Sequence, residues 1–165
     1  MQTKSEIQKR VRTYITNKGL RIAGEDFERP WGGFFLTDDV DTDTFLDLFF
    51  AREAVQLRSD GKKISPKLLV VLPEMRLSWQ YHDRRAEMHK VIRGPVAYSL
   101  SITNDLSDPV TYYADALVEI PQGTRHRLIG LNEWGLVAEV WQHVIPSHPS
   151  DEADNHRLQD DFKRT

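Results

Sequence analysis

From Lys4 to Asn17 the apolar residues Ile7, Val11, Tyr14 and Ile15 recur at the spacing of one helix face, and Gly19 follows as a stop signal. One amphipathic helix is predicted there. Arg29-Pro30-Trp31-Gly32-Gly33 interrupts the regularity before Phe34-Phe35-Leu36, where a short strand is expected. Its two glycines permit a turn or a close backbone approach. Thr42 to Ala51 sets Phe45, Leu46, Phe49 and Phe50 at helical intervals, which predicts a second short helix packed on whatever follows. From Lys67 the texture changes to short apolar or alternating runs: Leu68 to Leu72, Glu87 to Ile92, Ala97 to Ile102, Leu117 to Ile120, His126 to Ile129 and Leu136 to Val144. Their separators, such as Arg93-Gly94-Pro95 and Pro121-Gln122-Gly123, are turn-rich. Many short strands at near-regular spacing predict a sandwich or barrel. Beyond Pro146 the chain is polar and rich in Asp, and on composition alone it reads as a free tail. With no internal repeat, the expectation is one domain: an N-terminal helical extension over 1–28, a core barrel over 67–145 and a C-terminal segment over 146–165.

A chain of 165 residues is long enough to bury its own core. The charged fraction of 28% and net charge of −3 give no long-range pull toward nucleic acid or an anionic membrane, so a small molecule is the expected partner. The absence of cysteine excludes disulfides, thiolate metal sites and a cysteine nucleophile. The start MQTKSEIQKR lacks an apolar signal core, and the apolar runs fall far short of the roughly 20 residues that cross a bilayer. Cytoplasmic residence is the expectation.

Two clusters about forty residues apart carry side chains able to bind a metal, both at predicted strand ends. In the first, strand alternation projects Gln80 and His82 together, and a turn over Asp83 to Ala86 returns the chain with Glu87 inward. In the second, the turn Pro121-Gln122-Gly123 aims His126 from the next strand. Taken singly, a Gln or Glu is usually a surface residue and a strand His a hydrogen-bonded core residue. Together, two imidazoles, a carboxylate and an amide oxygen suit zinc, manganese or iron.

These residues resemble the two sequence motifs of the cupin superfamily. In the run Glu74 to Gly94, Gln80 stands where the first histidine is usual, His82 is the second, Glu87 the acid and Gly94 the closing glycine. Asp115 to Gly130 resembles the second motif, with Pro121, Gly123 and His126 in place. Glu74 and Asp115 replace motif glycines and Gly130 replaces an asparagine, changes that touch the turns and not the ligands. Over about Arg29 to Arg164, with an insertion near Asp38 to Ser65, the chain looks like the mannose-6-phosphate isomerase domain of the type II family. Arg29-Pro30-Trp31-Gly32, Leu77 to His82, Arg85-Ala86-Glu87 and Arg157 to Phe162 carry that likeness. Small cupins of this kind are also labelled phosphoheptose isomerases. The sequence departs from the family at Asp83 and Arg84, where extra histidines are common, at His89, where an aromatic is common, and at Lys163, where a glycine is usual.

The resemblance implies a mainly β cupin jelly roll with N-terminal α-helices, and one divalent ion on Gln80, His82, Glu87 and His126. Zinc is the first choice, with manganese, iron or nickel also compatible. It further implies a homodimer and aldose–ketose exchange on a sugar phosphate, mannose 6-phosphate and fructose 6-phosphate being the leading pair. For the proton transfer, His89 shares a strand face with Glu87 and is the first candidate. Lys90 is the second, although alternation points it away from the pocket unless a bulge intervenes. Arg85, Arg157 and Arg164 are the candidate phosphate-binding cations. Glu139 shares a face with Trp141 and His143, either a pocket wall or an outward polar face, and is a candidate substrate contact. Two other readings remain: a sugar-binding cupin that holds metal without catalysis, and an iron oxygenase cupin.

Overall fold

The structure, a computed structural model, describes residues 2–164. The predicted first helix is α1 (Lys4–Asn17), and Thr3 caps it. Its hydroxyl accepts from the Glu6 N–H while the Glu6 carboxylate accepts from the Thr3 N–H, which satisfies two otherwise unpaired donors of the first turn. Chain order continues with β1 (Ile22–Asp26), β2 (Gly32–Thr37), α2 (Thr42–Phe49), α3 (Ala54–Ser59), β3 (Ile64–Val71), β4 (Trp79–Tyr81) and β5 (Arg85–Arg93). It ends with β6 (Val96–Ser101), β7 (Val110–Tyr112), β8 (Leu117–Ile120), β9 (Arg125–Gly130), β10 (Gly135–His143) and β11 (His156–Gln159).

The strands form two antiparallel sheets, ordered β1-β2-β3-β10-β5-β8 and β11-β4-β9-β6-β7. Successive strands cross repeatedly between the sheets, so that β3, β10, β5 and β8 face β4, β9, β6 and β7. That is the jelly-roll arrangement. Helices α1, α2 and α3 cover the outer face of the larger sheet, where Ile7, Val11, Ile15, Phe45 and Phe50 pack with Leu68, Val70, Leu136 and Val140. The space between the sheets holds a second cluster, including Leu69, Val71, Val91, Tyr98, Leu128 and Val137. Both faces of β3 and β10 are therefore buried, which explains their near-continuous apolar runs.

The sheets reach beyond the expected 67–145 barrel at both ends. Residues 1–28 are not wholly helical, because β1 pairs with β2 and extends the larger sheet. The expected free tail instead supplies β11, which pairs with β4. Among the described residues no helix is long and apolar enough to cross a membrane.

The motif departures have a structural account. Glu74, Asp115 and Lys163 all adopt positive φ, at 60°, 70° and 53°, so the left-handed backbone persists where the family's glycine is absent. Gly130, by contrast, admits no side chain: a Cβ there would lie 2.0 Å from the Leu72 carbonyl oxygen. Gly32 is equally confined, its Cβ position falling 2.0 Å from the Val70 carbonyl oxygen, so the predicted close approach is real.

Asp41, at the start of α2, closes the covering layer. Its carboxylate accepts from the Arg21 backbone N–H at 2.8 Å and from Nε and Nη2 of the Arg21 guanidinium at 3.0 and 2.7 Å. The side-chain bonds first, then the backbone bond, bring its pKa down to about 2.

Glu74→Gly is expected to raise unfolding free energy by about 1 kcal/mol by removing left-handed strain, and Asp115→Gly by less because Asp tolerates that region better. Gly130→Ala is expected to lower it by about 3 kcal/mol, all three read from denaturant melts. Because the folded pKa of Asp41 lies below the ordinary aspartate value of about 3.9, its clasp stabilises fully above that pH. This contribution disappears as pH falls toward about 2. Asp41→Asn is therefore expected to narrow the difference in melting temperature between neutral and acid pH relative to the parent chain.

Candidate metal centre

Strand register builds the barrel interior in layers. At one end Leu69, Val137 and Val91 lie side by side on β3, β10 and β5. In the next layer Lys67, Glu139 and His89 are neighbours, followed by Ser65, Trp141 and Glu87, and then by His143 beside Arg85. The interior thus runs from apolar at one end to densely charged at the other. Glu139, Trp141 and His143 line the inner wall, which resolves the ambiguity of their shared face.

Two histidines and one carboxylate converge in the charged half. Nε2 of His82 lies 3.2 Å from Oε1 of Glu87, and Nε2 of His126 lies 3.4 Å from its Oε2. His82 Nδ1 sits 2.9 Å from the Asp154 carbonyl oxygen and His126 Nδ1 sits 3.0 Å from that of Thr124. A carbonyl oxygen only accepts, so Nδ1 donates in both rings, which turns the Nε2 edge of each ring toward Glu87 and leaves Nε2 as the atom through which either ring could bind an ion. The donor atoms of His82, Glu87 and His126 all lie within 4.8 Å of one another. Electron-pair donors held in this way by carbonyl partners fit a divalent ion of the zinc, manganese or iron type.

Glu87 is 2% exposed, and burial alone would raise its pKa. The Arg85 guanidinium, with His82 and His126, outweighs burial and holds the carboxyl well below the usual range. Arg85 Nε donates to Glu87 Oε1 at 2.7 Å, and its Nη2 donates to His82 Nε2 at 3.0 Å. Burial lowers the pKa of His82, keeping that imidazole neutral and able to donate its lone pair. His89 bridges Glu87 and Glu139 at 3.0 and 3.2 Å, while its Nδ1 meets the Tyr98 hydroxyl at 2.8 Å. Burial would lower its pKa, but hydrogen bonds to Glu139 and Glu87 raise it to about 9. His89 is therefore a buried imidazolium between two carboxylates.

The C-terminal segment holds this arrangement together. The Asp154 carboxylate accepts from the backbone N–H groups of Asp83 and Arg84 at 2.9 and 3.0 Å and from the Ser150 hydroxyl at 2.6 Å, fixing the turn between β4 and β5. Its own carbonyl orients His82. The opposite turn is tied in as well, since the Gly123 N–H donates to the His82 carbonyl at 2.9 Å. Sequence reading missed Asp154, Ser150 and Asn155, because an acidic, polar stretch carries no periodicity that separates a strap from a tail.

Of the predicted ligands, His82, Glu87 and His126 come together. Gln80 is the cross-strand partner of His126 and lines the adjoining cleft, where its Oε1 accepts from the Ser78 hydroxyl at 2.6 Å. That cleft is narrow, with a cavity volume of about 60 Å³, and Glu139, Trp141, Arg85, Arg157 and Arg164 line it with Trp31 and Arg29. Two of the proton-transfer expectations change. Lys90 lies on the outer face of β5, its Nζ 3.9 Å from the Glu53 carboxylate, as plain alternation requires. His89 is 2% exposed with both ring nitrogens engaged, so it offers no free basic nitrogen. The expected turn over Asp83 to Ala86 is shorter in the structure: β5 begins at Arg85, which puts the side chain of this candidate phosphate-binding cation on the inward face, against the ligands.

A jelly roll with paired histidines and a glutamate on its inner wall decides the fold. It is a cupin barrel. No family model matches the chain, and no curated protein does. Among solved structures, a protein from Bacillus halodurans is similar at 14% identity, covering 57% of this chain and 70% of that one, with a TM-score of 0.46. A cupin 2 conserved barrel domain protein from Salinispora arenicola shows 18% identity, 49% and 64% coverage and a TM-score of 0.42. The DMSP lyase DddQ from Ruegeria pomeroyi shows 11% identity, 57% and 45% coverage and a TM-score of 0.45. This chain thus spans less than half the length of that lyase, and no activity is carried over from it.

Asp154→Ala in this cupin is expected to cost about 2 kcal/mol in stability, since it removes the partner of two part-buried N–H groups and of the buried Ser150 hydroxyl. It is also expected to weaken zinc binding by about 10- to 100-fold through loss of His82 orientation. Chemical denaturation and chelator competition measure the two effects.

Proposed function

We propose that this cupin is a metal-dependent aldose–ketose isomerase acting on a sugar phosphate, with mannose 6-phosphate and fructose 6-phosphate as the leading pair. The observation that carries this reading is the convergence of His82, Glu87 and His126 beside a cleft lined by Arg29, Arg157, Arg164 and the buried carboxylate of Glu139. Gln80 supplies a further oxygen donor from the same cleft. A bound divalent ion would polarise the sugar's carbonyl and hydroxyl oxygens as a Lewis acid.

The chain's own groups would divide the remaining work. Oε2 of Glu139 has no hydrogen-bond partner, whereas Oε1 is held by His89 at 3.2 Å. Lys67 and His89 lower the pKa of Glu139 against the effects of burial and of Glu87, so it stands ionised at neutral pH. Glu139 would take the proton from the carbon beside the carbonyl as a cis-enediolate forms, and return it to the neighbouring carbon. Meanwhile the hydroxyl proton passes to the former carbonyl oxygen. His89 would position that carboxylate. The rim arginines Arg29, Arg157 and Arg164 would receive the phosphate, a task suited to planar, multiply donating cations. Trp31 would offer an apolar wall to the sugar, the Trp141 ring being already faced by Arg85 and Lys67.

Elemental analysis of the purified protein, followed by isomerase assay of the metal-loaded form on mannose 6-phosphate and other sugar phosphates, tests the reading. One divalent ion per chain, lost in the Gln80→Ala/His126→Ala double variant, together with turnover that falls about a hundredfold or more in Glu139→Gln, is the expected result. Metal with saturable sugar binding and no turnover across the panel would instead identify a sugar-binding cupin. The grip of Arg85 on two ligands favours that second reading.

A further inference from the structure

His82 has a single lone pair available, at Nε2, because its Nδ1 proton is committed to the Asp154 carbonyl. Arg85 Nη2 donates to that same Nε2 at 3.0 Å while Arg85 Nε donates to Glu87 Oε1 at 2.7 Å. A nitrogen with one lone pair cannot accept a hydrogen bond along it and coordinate an ion at once. We infer that Arg85 is a built-in competitor for the metal, its guanidinium and the divalent ion being alternative occupants of the His82 and Glu87 donor atoms. This inference rests on the metal-centre reading and goes beyond it, for it assigns Arg85 control over when the centre fills.

The guanidinium is held from behind as well as in front. Arg85 Nη1 donates to the Ser150 hydroxyl at 2.9 Å, Nη2 also reaches Asn155 Oδ1 at 3.1 Å, and the group lies 3.6 Å from the centre of the Trp141 ring. These partners stay available if the two front bonds break, so the side chain has anchors to retain when the ion enters. With no ion bound, the cation offsets the charge of Glu87, which would otherwise be buried without compensation by any permanently charged group. The same contacts that offset the Glu87 charge therefore oppose metal binding at His82 and Glu87.

Zinc affinity by chelator competition, and thermal melting with and without zinc, are to be measured for the parent chain, Arg85→Met and Arg85→Lys. The expected result is zinc binding at least tenfold tighter in Arg85→Met, an intermediate value in Arg85→Lys, a lower melting temperature of the zinc-free Arg85→Met protein and a larger zinc-induced rise. Should Arg85→Met fail to fold, Arg85→Lys carries the test: it keeps a cation beside Glu87 but cannot bond His82 and Glu87 through a rigid fork, and it is expected to bind zinc a few-fold more tightly than the parent. Equal or weaker zinc binding in Arg85→Met, with the parent binding zinc normally, would overturn the competition and leave the metal centre standing. Binding in Arg85→Met with none in the parent would support it in its strongest form. No binding in any variant would bring down the metal centre and the inference with it.

Discussion

A carboxylate taken out of water has to be answered by positive charge, and Glu87 sets that demand for the whole charged half of the barrel. Its two oxygens face Arg85, His82, His89 and His126, four groups from three strands or strand ends. Alternation on β5 alone delivers Arg85, Glu87 and His89 to the same face, a cation, an anion and a second cation in a row. The second sheet completes the set through His126. Because attraction in a low-dielectric interior offsets desolvation only when geometry is good, each partner of Glu87 has a second fixed contact of its own. His82 leans on Asp154, His126 on Thr124, His89 on Tyr98 and Arg85 on Ser150. Two of these secondary contacts, at Asp154 and Ser150, come from the C-terminal strap.

Much of the barrel was legible because its strands announce themselves by short apolar runs between turn residues, and α1 by its period. What escaped were β1, β7, β11 and α3, β11 because its segment is largely polar. Strand β1 contains Gly24 and alternates at only intermediate burial, β7 is a mostly exposed edge of three residues, and α3 is barely more than one turn. Elements of that kind are set by their neighbours and carry little pattern of their own. Three of the four predicted ligands meet because a two-residue period and a tight turn suffice to aim them. The partnership of a side chain is another matter. Arg85 was read as part of a turn, so nothing revealed that it bonds to the ligands, and alternation left Glu139 open because helices bury the outer face of β10 as fully as the cleft buries the inner one.

The three positive-φ residues show how motif reading and structure diverge. Glu74 and Asp115 stand where the resembling motif has glycine, and both hold a left-handed backbone with the strain it carries. The turn geometry around the site is therefore dictated by the surrounding register. A motif defined by glycines understates what such a barrel tolerates.

Asp154, which fixes both the β4 to β5 turn and the ring of His82, follows all four proposed ligands in the sequence. A barrel whose strap came loose would leave the His82 ring unoriented and the Asp83 and Arg84 amides without this partner. Fraying of the C-terminal segment and loss of donor geometry at the proposed centre would therefore be one event, so the durability of the site is set by the segment that carries none of its ligands.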